Sequence, residues 1–122
     1  MKRLKQVILI RRDLKMRRGK EIAQGSHASM AFLLEKIRTG EAWTEDETEW
    51  MEQGQAKVCL QVGSEVELLA YHERARAAGL TSHVIRDSGR TEFGGQPTFT
   101  ACALGPHEAE KIDAITGDLS LY

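Results

Sequence analysis

Lys20, Gln24 and His27 are spaced so that their side chains can act together. At about 100° per residue, positions three or four apart on an α-helix fall in one narrow stripe, so the three side chains should point the same way. An ammonium group, an amide and an imidazole can hold an anion and exchange a proton. The alternative is that the lysine and glutamine are solvated and that the histidine is a packing residue.

Asp87 is a second candidate for such chemistry. It follows a predicted strand at residues 82–86 and begins the loop DSGRTEFGGQP. A carboxylate at a strand end, followed by a glycine-rich loop, is often how a site is presented at the edge of an α/β sheet. The alternative is an ordinary turn in which Asp87 bonds its own backbone.

The segments before Lys20 predict how these residues are positioned. Residues 7–10 are an unbroken apolar run, typical of a strand buried on both faces in the middle of a sheet. A basic turn at residues 15–19 leads into a helix, and a strand, a polar turn and a helix N-terminus commonly form an anion site. The helical period predicts an apolar face made of Ala23, Ser26, Met30, Leu34 and Ile37.

The remaining elements follow from local signals. Capping boxes begin two helices, one with Thr44 and Glu47 and one with Ser64 and Glu67. Further strands are predicted at residues 56–62, 82–86 and 98–104, and the final LSLY as a short edge strand. The order β-α-(α)-β-α-β-β-α predicts one α/β domain for the 122 residues. Pro106 is predicted to lie in the first turn of a last helix.

Charge is distributed unevenly along the chain. The net charge is −1, but the first 20 residues sum to +8 and the rest to −9. A basic patch on a near-neutral protein suggests that a polyanion docks on one face, and a solvated basic turn is the alternative. Six acids between Glu41 and Glu52 predict a solvated acidic face.

Cysteine usage predicts no metal or redox chemistry. Cys59 and Cys102 lie in apolar strand-like runs without a ligand-like spacing, so they are interpreted as reduced core residues. We therefore expect no metal and no cofactor. No signal peptide or membrane-length apolar run is visible, which predicts a soluble, cytoplasmic protein.

Motifs along nearly the whole chain resemble those of a known family, the second type of peptidyl-tRNA hydrolase, found in archaea and eukaryotes with bacterial and phage-borne relatives. In order they are KQVILIR, DLKM..GK..AQ.SHA, RDSGRTE, T.TACALGP and KIDAITGDLSLY. The resemblance implies a three-layer α/β/α sandwich around a small mixed sheet of about four strands, often dimeric. The implied activity is hydrolysis of the ester that joins a peptide to the terminal ribose of tRNA.

The resemblance also implies roles for particular residues. The positions that the family uses for catalysis correspond to Lys20, His27, Asp87 and Thr100, with Thr98 as the neighbouring threonine. The implied tRNA contacts are Lys15, Arg17, Arg18, Arg90 and Thr98.

The chain departs from the family pattern at three places. In the loop after Asp87, the family's DAGRTQ reads DSGRTE, and the following FGGQP is about one residue longer than usual. Arg17 and Arg18 stand in the basic turn, where the second arginine keeps the charge of a family lysine. Gly25 replaces a family cysteine, which weakens a thiol mechanism and leaves attack by water intact. Either His27 or Asp87 could activate that water.

Two non-enzymatic alternatives remain from the sequence. One is a non-catalytic tRNA- or RNA-binding module of the same fold, which predicts salt-sensitive binding without hydrolysis. The other is a protein-interaction role for the sheet edge or the acidic helix. A binder would use the basic turn but would have no use for Lys20, His27, Asp87 and Thr100 together.

Overall fold

The apolar run near the start of the chain forms a central strand of the sheet. This computed structural model describes residues 2–90 and 92–122. Strand β1 (Leu4–Arg11) pairs in parallel with β2 (Lys57–Val62) and antiparallel with β4 (Thr98–Glu108), and β3 (Ser82–Asp87) pairs antiparallel with β4. The sheet order is therefore β2-β1-β4-β3. The prediction of a strand buried on both faces is confirmed.

Helices cover both faces of this sheet. Helix α1 (Arg18–Thr39) and helix α2 (Glu45–Glu52) lie on one face, and α3 (Glu65–Ala77) and α4 (Ala109–Thr116) lie on the other. The larger core lies beneath α3 and α4, and the core beneath α1 continues from Ile8 and Ile10 to Ala28. The predicted element order and the three-layer α/β/α sandwich around a four-stranded mixed sheet are confirmed.

The predicted apolar face of α1 is not the face that packs on the sheet. Met30, Leu34 and Ile37 are 47–68% exposed. The inward positions are instead Gln24, Ala28, Phe32 and Lys36, each four residues from the next. Burial of the two polar members is tolerated because both are hydrogen-bonded, which offsets the cost of removing them from water.

Strand β4 is longer than predicted, and Pro106 lies inside it rather than in a helix. The ladder between β1 and β4 continues to the pairs Lys5–His107 and Leu4–Glu108, and α4 begins only at Ala109. His107 also accepts a hydrogen bond from the Thr81 backbone N–H through Nε2 at 2.7 Å. These pairings with distant segments hold His107 and Glu108 in β4, beyond an irregularity in the ladder at Gly105 and Pro106, where Gly105 has φ +93°.

The capping box at the start of α2 is confirmed, but the acidic segment is not solvated throughout. Thr44 and Glu47 exchange both hydrogen bonds of the box. The Glu47 side chain is nevertheless buried, and its Oε1 lies 2.9 Å from the Lys36 Nζ. The prediction of a wholly solvated acidic face is thus wrong for Glu47. The Ser64 hydroxyl caps α3, while Glu67 bonds the Gly63 N–H instead of completing a box.

The last residues cover the outer edge of β2. The Gln61 N–H donates to the Ser120 carbonyl at 3.0 Å, and the Tyr122 N–H donates to the Cys59 carbonyl at 3.1 Å. The predicted edge strand is reduced to a single antiparallel bridge between Leu60 and Leu121. Cys59 is exposed on this strand, so its assignment to the core was wrong, whereas Cys102 is fully buried. Among the described residues, no helix is long and apolar enough to cross a membrane.

Candidate active site

Lys20 and Asp87 form an ion pair at the point where α1 begins and β3 ends. The Lys20 Nζ lies 2.9 Å from Asp87 Oδ1, and the two side chains are only 14% and 11% exposed. Asp87 Oδ2 accepts a hydrogen bond from the Gly89 N–H at 2.9 Å. The turn bond predicted as an alternative role for Asp87 is therefore present together with the ion pair.

The surroundings of Asp87 stabilise its ionised form. The hydrogen bond from the Lys20 ammonium holds the pKa of Asp87 below its ordinary value, and burial opposes this effect in part. The Gly89 N–H and the charges of Lys20 and His27 lower the pKa further. Asp87 is therefore a carboxylate at neutral pH, with both oxygens engaged.

Gln24 joins this ion pair to the interior of the sheet. Its Nε2 donates to Asp87 Oδ1 at 3.4 Å, and its Oε1 accepts a hydrogen bond from the Thr100 hydroxyl at 2.5 Å. Gln24 and Thr100 are both buried. The structure thus brings Lys20, Gln24, Asp87 and Thr100 into one network from three elements, α1, β3 and β4.

Gln24 is not one of the site residues that the family resemblance implies, although its helical spacing places it in one stripe with Lys20 and His27. The signal that could have identified it is the four-residue spacing from Lys20, which places both side chains over the same point on the sheet. A buried amide needs polar partners, and two candidate residues of the site provide them.

His27 lies at the rim of the network rather than inside it. Its side chain is exposed and lines a groove between α1 and β3 with Ile85 and Arg86. Within residues 2–90 and 92–122 it makes no side-chain hydrogen bond, but its charge contributes to the low pKa of Asp87. The imidazole is therefore near the carboxylate and open to solvent.

The loop after Asp87 closes tightly on itself. Gly89 has φ +82°, and a Cβ at this position would lie 2.3 Å from the Gln96 carbonyl oxygen. The Gly95 N–H donates to the Gly89 carbonyl at 3.0 Å. This closure places the Phe93 ring against Lys20, with Nζ 5.9 Å from the ring centroid. The loop thereby contributes an aromatic ring to the surroundings of the ammonium.

The predicted tRNA-binding residues are spread around the start of α1. The Arg17 side chain is 91% exposed, with Nε 4.0 Å from Glu92 Oε1 in the loop after β3, and Arg18 is exposed beside it. Lys15 is also exposed but lines a separate depression together with Asp118. Arg90 is exposed in the loop, while the Thr98 hydroxyl donates to the Gln96 carbonyl at 2.8 Å.

The described residues contain no group of three or more His, Cys, Asp or Glu side chains that could hold a metal ion. The thiol nearest to the sheet interior is inert, since burial raises the pKa of Cys102 to about 12. Partial desolvation also raises the pKa of the Cys59 thiol, although this residue is exposed on β2. The polar network around Lys20 and Asp87 is therefore the arrangement best suited to chemistry in the described part of the chain.

The fold and the network define a small α/β protein in which a buried ammonium–carboxylate pair lies beside the exposed, basic N-terminus of α1. A family model described as peptidyl-tRNA hydrolase PTH2 matches residues 4–122, and the chain belongs to this family.

Curated relatives agree with this assignment, and one solved structure shares the fold. The chain is 44% identical over 119 residues to a peptidyl-tRNA hydrolase of Methanocaldococcus jannaschii, covering 97% of this chain and 99% of the relative. It is 44% identical over 118 residues to that of Methanopyrus kandleri, covering 96% and 97%. A solved protein of unknown function from Agrobacterium tumefaciens shares the fold at a TM-score of 0.63 and 14% identity, covering 100% of this chain and 99% of that one.

Proposed function

We propose that this protein hydrolyses the ester bond between a peptide and the terminal ribose of tRNA, by attack of water and without a cofactor. Family membership supports this reaction class. The observation that carries the proposal is the buried Lys20–Asp87 pair. This pair lies beside the basic N-terminus of α1 and is linked through Gln24 to Thr100. A tRNA substrate also implies that the protein acts in the cytoplasm.

Lys20 is suited to stabilise the negative charge that develops on the ester carbonyl oxygen. Attack by water turns this carbonyl into an oxyanion, and a fixed cation in a partly desolvated site stabilises it strongly. Asp87 holds the ammonium at 2.9 Å, and Phe93 packs beside it. The cation is thus positioned before the substrate arrives.

We assign activation of the water to His27 rather than to Asp87. A carboxylate whose pKa is lowered and whose two oxygens already accept hydrogen bonds is a weak proton acceptor. His27 is open to solvent at the rim of the same network. Thr100 acts through Gln24, because its hydroxyl fixes the amide so that Nε2 faces Asp87, which makes Thr100 a positioning residue.

The test is release of peptide from peptidyl-tRNA by the purified protein, measured against pH for the wild type and for His27→Ala. We expect turnover in the wild type with an acidic limb in the rate profile, because a protonated imidazole cannot accept a proton. His27→Ala should slow turnover and remove that limb.

Two results would contradict these roles. An unchanged rate and pH profile in His27→Ala would exclude His27 as the base. Binding of peptidyl-tRNA without release of peptide at any pH would favour a non-catalytic tRNA-binding module of the same fold.

Arg17 and Arg18 are the strongest candidates for contacts with tRNA phosphates, with Lys15, Arg90 and Thr98 as further contacts. Arg17 is almost fully exposed, and Arg18 is the first residue of α1, where the helix dipole also favours an anion. Both flank the start of the helix that carries Lys20. A phosphate backbone held there would bring the terminal ribose towards the ion pair.

The double replacement of Arg17 and Arg18 by alanine should raise KM for peptidyl-tRNA and leave kcat nearly unchanged. Each phosphate contact that is lost should flatten the log–log salt dependence of binding by about 0.7–0.9 units. A matched control is the double replacement of Arg74 and Lys111, which lie on α3 and α4 on the opposite face of the sheet. Equal salt slopes in the two double variants would contradict the assignment.

We also propose that the protein forms a homodimer through the apolar groove between α1 and β2. This groove is lined by Ile8, Ile10, Met30, Cys59 and Tyr122, among others, and Met30 is 47% exposed. Ile22, at 65%, is a second exposed apolar side chain of this groove, and exposed apolar side chains grouped around one groove commonly mark an interface. Light scattering that gives the mass of a single chain at micromolar concentration would contradict this proposal.

A further inference from the structure

The two edges of the sheet differ in whether their backbone groups are paired. The outer edge of β2 is covered by the chain's own last residues, through the hydrogen bonds of Gln61 and Tyr122. The outer edge of β3 has no backbone hydrogen-bond partner among the described residues. An open strand edge offers a row of donors and acceptors to another extended chain.

The hydrogen bonds of Thr81 show which groups of β3 point outward. The Thr81 carbonyl accepts from the Gly105 N–H at 2.9 Å, and its own N–H donates to His107, so both of its backbone groups face β4. Backbone groups alternate in direction along a strand, so His83 and Ile85 also face β4. The N–H and the C=O of Val84 therefore point to the open edge.

A groove runs along this edge and leads to the active site. It has a volume of about 440 Å³ and is lined by Ala31 and Leu34 from α1, by Val84 and Ile85 from β3, and by His27 at the end nearest the ion pair. Its lining includes no Phe, Tyr or Trp on which a nucleotide base could stack. The groove is thus less suited to single-stranded RNA than to a peptide.

The groove and the basic residues lie on opposite sides of the active site along α1. Arg17 and Arg18 lie at the N-terminal end of the helix, before Lys20, whereas the groove extends from His27 towards Arg38. An ester held at Lys20 must send its tRNA part and its peptide part to different sides. The groove carries charges of both signs, with Arg38 and Arg86 beside Glu35, whereas Arg17 and Arg18 are two adjacent exposed cations. The tRNA part is therefore drawn to Arg17 and Arg18, which leaves the groove to the peptide part.

We propose that the groove binds the peptide part of the substrate as an additional strand on the outer edge of β3. The proposal rests on the proposed function. Peptides on tRNA differ in sequence, and pairing through main-chain hydrogen bonds accepts any sequence. The esterified carboxyl end must lie near Asp87, where β3 ends, so the peptide runs parallel to β3 with its N-terminus towards Ser82.

The deciding experiment compares substrates on the wild-type enzyme. N-acetyl-aminoacyl-tRNA and tetrapeptidyl-tRNA should differ in KM by about three- to tenfold in favour of the longer peptide, as expected for one or two net hydrogen bonds. A scan that N-methylates one peptide amide at a time should then show a period of two. Methylation of amides that face β3 should abolish the gain, and methylation of the amides between them, the matched controls, should preserve it.

A pair of variants tests the protein side of the same contact. Val84→Pro removes the outward N–H at an edge position where proline is tolerated, and Val84→Ala keeps that N–H while removing most of the side chain. We expect Val84→Pro to lose the advantage of the longer peptide and Val84→Ala to retain it, with folding checked by circular dichroism. If Val84→Pro does not fold, the methylation scan on the wild-type enzyme still tests whether the peptide pairs with β3.

The outcomes separate this inference from the proposed function. Release of peptide with the same KM for all lengths and all methylated peptides would overturn peptide pairing and leave the hydrolase intact. Failure to release peptide from any substrate would overturn the hydrolase itself. Weaker inhibition of Val84→Pro by uncharged tRNA would mean that the groove takes RNA, and conversion of a dimer to a monomer by Val84→Pro would mean that a second copy covers it. Either result would overturn the proposal.

Discussion

Lys20→Ala should lower kcat by about 10²–10³-fold, the usual effect of removing one preorganised donor to an oxyanion. The ammonium is held by Asp87 at 2.9 Å, and the Lys20 side chain is only 14% exposed, so bulk water cannot replace it effectively. The measurement is single-turnover release of peptide at saturating substrate. Thermal unfolding should show that the variant stays folded.

The matched control is Lys111→Ala, which removes an exposed lysine on α4. A Lys20→Ala variant within threefold of the wild type would rule out Lys20 as the stabilising group. Asp87→Asn should cause a similar loss, because the amide no longer fixes the ammonium. The double variant should be little worse than either single variant, since residues that act as a unit are not additive.

Glu47→Ala should lower the free energy of unfolding by about 3 kcal/mol, the lower end of the cost of breaking a buried ion pair. The lower end applies because the Lys36 ammonium keeps Glu41 Oε1 at 3.7 Å and the Ala42 carbonyl at 2.9 Å. Lys36 and Glu47 are 9% and 3% exposed and 2.9 Å apart. The substitution also removes half of the capping box at Thr44. Urea denaturation of wild type and variant measures the difference.

Glu45→Ala is the control for this prediction, because Glu45 is an exposed acid in the first turn of the same helix. Its effect should be below about 1 kcal/mol. If Glu45→Ala and Glu47→Ala lower the free energy of unfolding equally, the Lys36–Glu47 pair contributes no more to stability than a surface charge. Turnover per folded molecule should be unchanged in Glu47→Ala, since this pair is not part of the network around Asp87.

Local patterns were enough to predict most elements and part of the candidate site. The capping box of Thr44 and Glu47 lies within four residues, so its signal is complete in the sequence. Residues 7–10 could be placed in the middle of the sheet because an unbroken apolar run suits only a strand covered on both faces. Helical spacing likewise oriented Lys20 and Gln24 to the same side.

The predicted apolar face of α1 was wrong because partners from other elements change the free-energy cost of burying a polar side chain. Hydrophobic periodicity placed Met30 on the apolar face of α1, yet Gln24 and Lys36 are the buried members. Their partners Thr100 and Glu47 are supplied by other elements, and periodicity within one helix carries no information about them. The catalytic and tRNA-binding roles remain predictions, because hydrogen bonds define geometry rather than turnover.

The long sequence separations within the network have a consequence for biosynthesis. Lys20 contacts a residue 67 positions later, and Gln24 contacts one 76 positions later. The antiparallel neighbour of β1 is β4, the last strand of the sheet, so a chain emerging from the ribosome cannot complete the sheet until that strand has been made. Recovery of hydrolysis during refolding should therefore follow the docking of β4 rather than the formation of α1, and turnover becomes a reporter of complete folding.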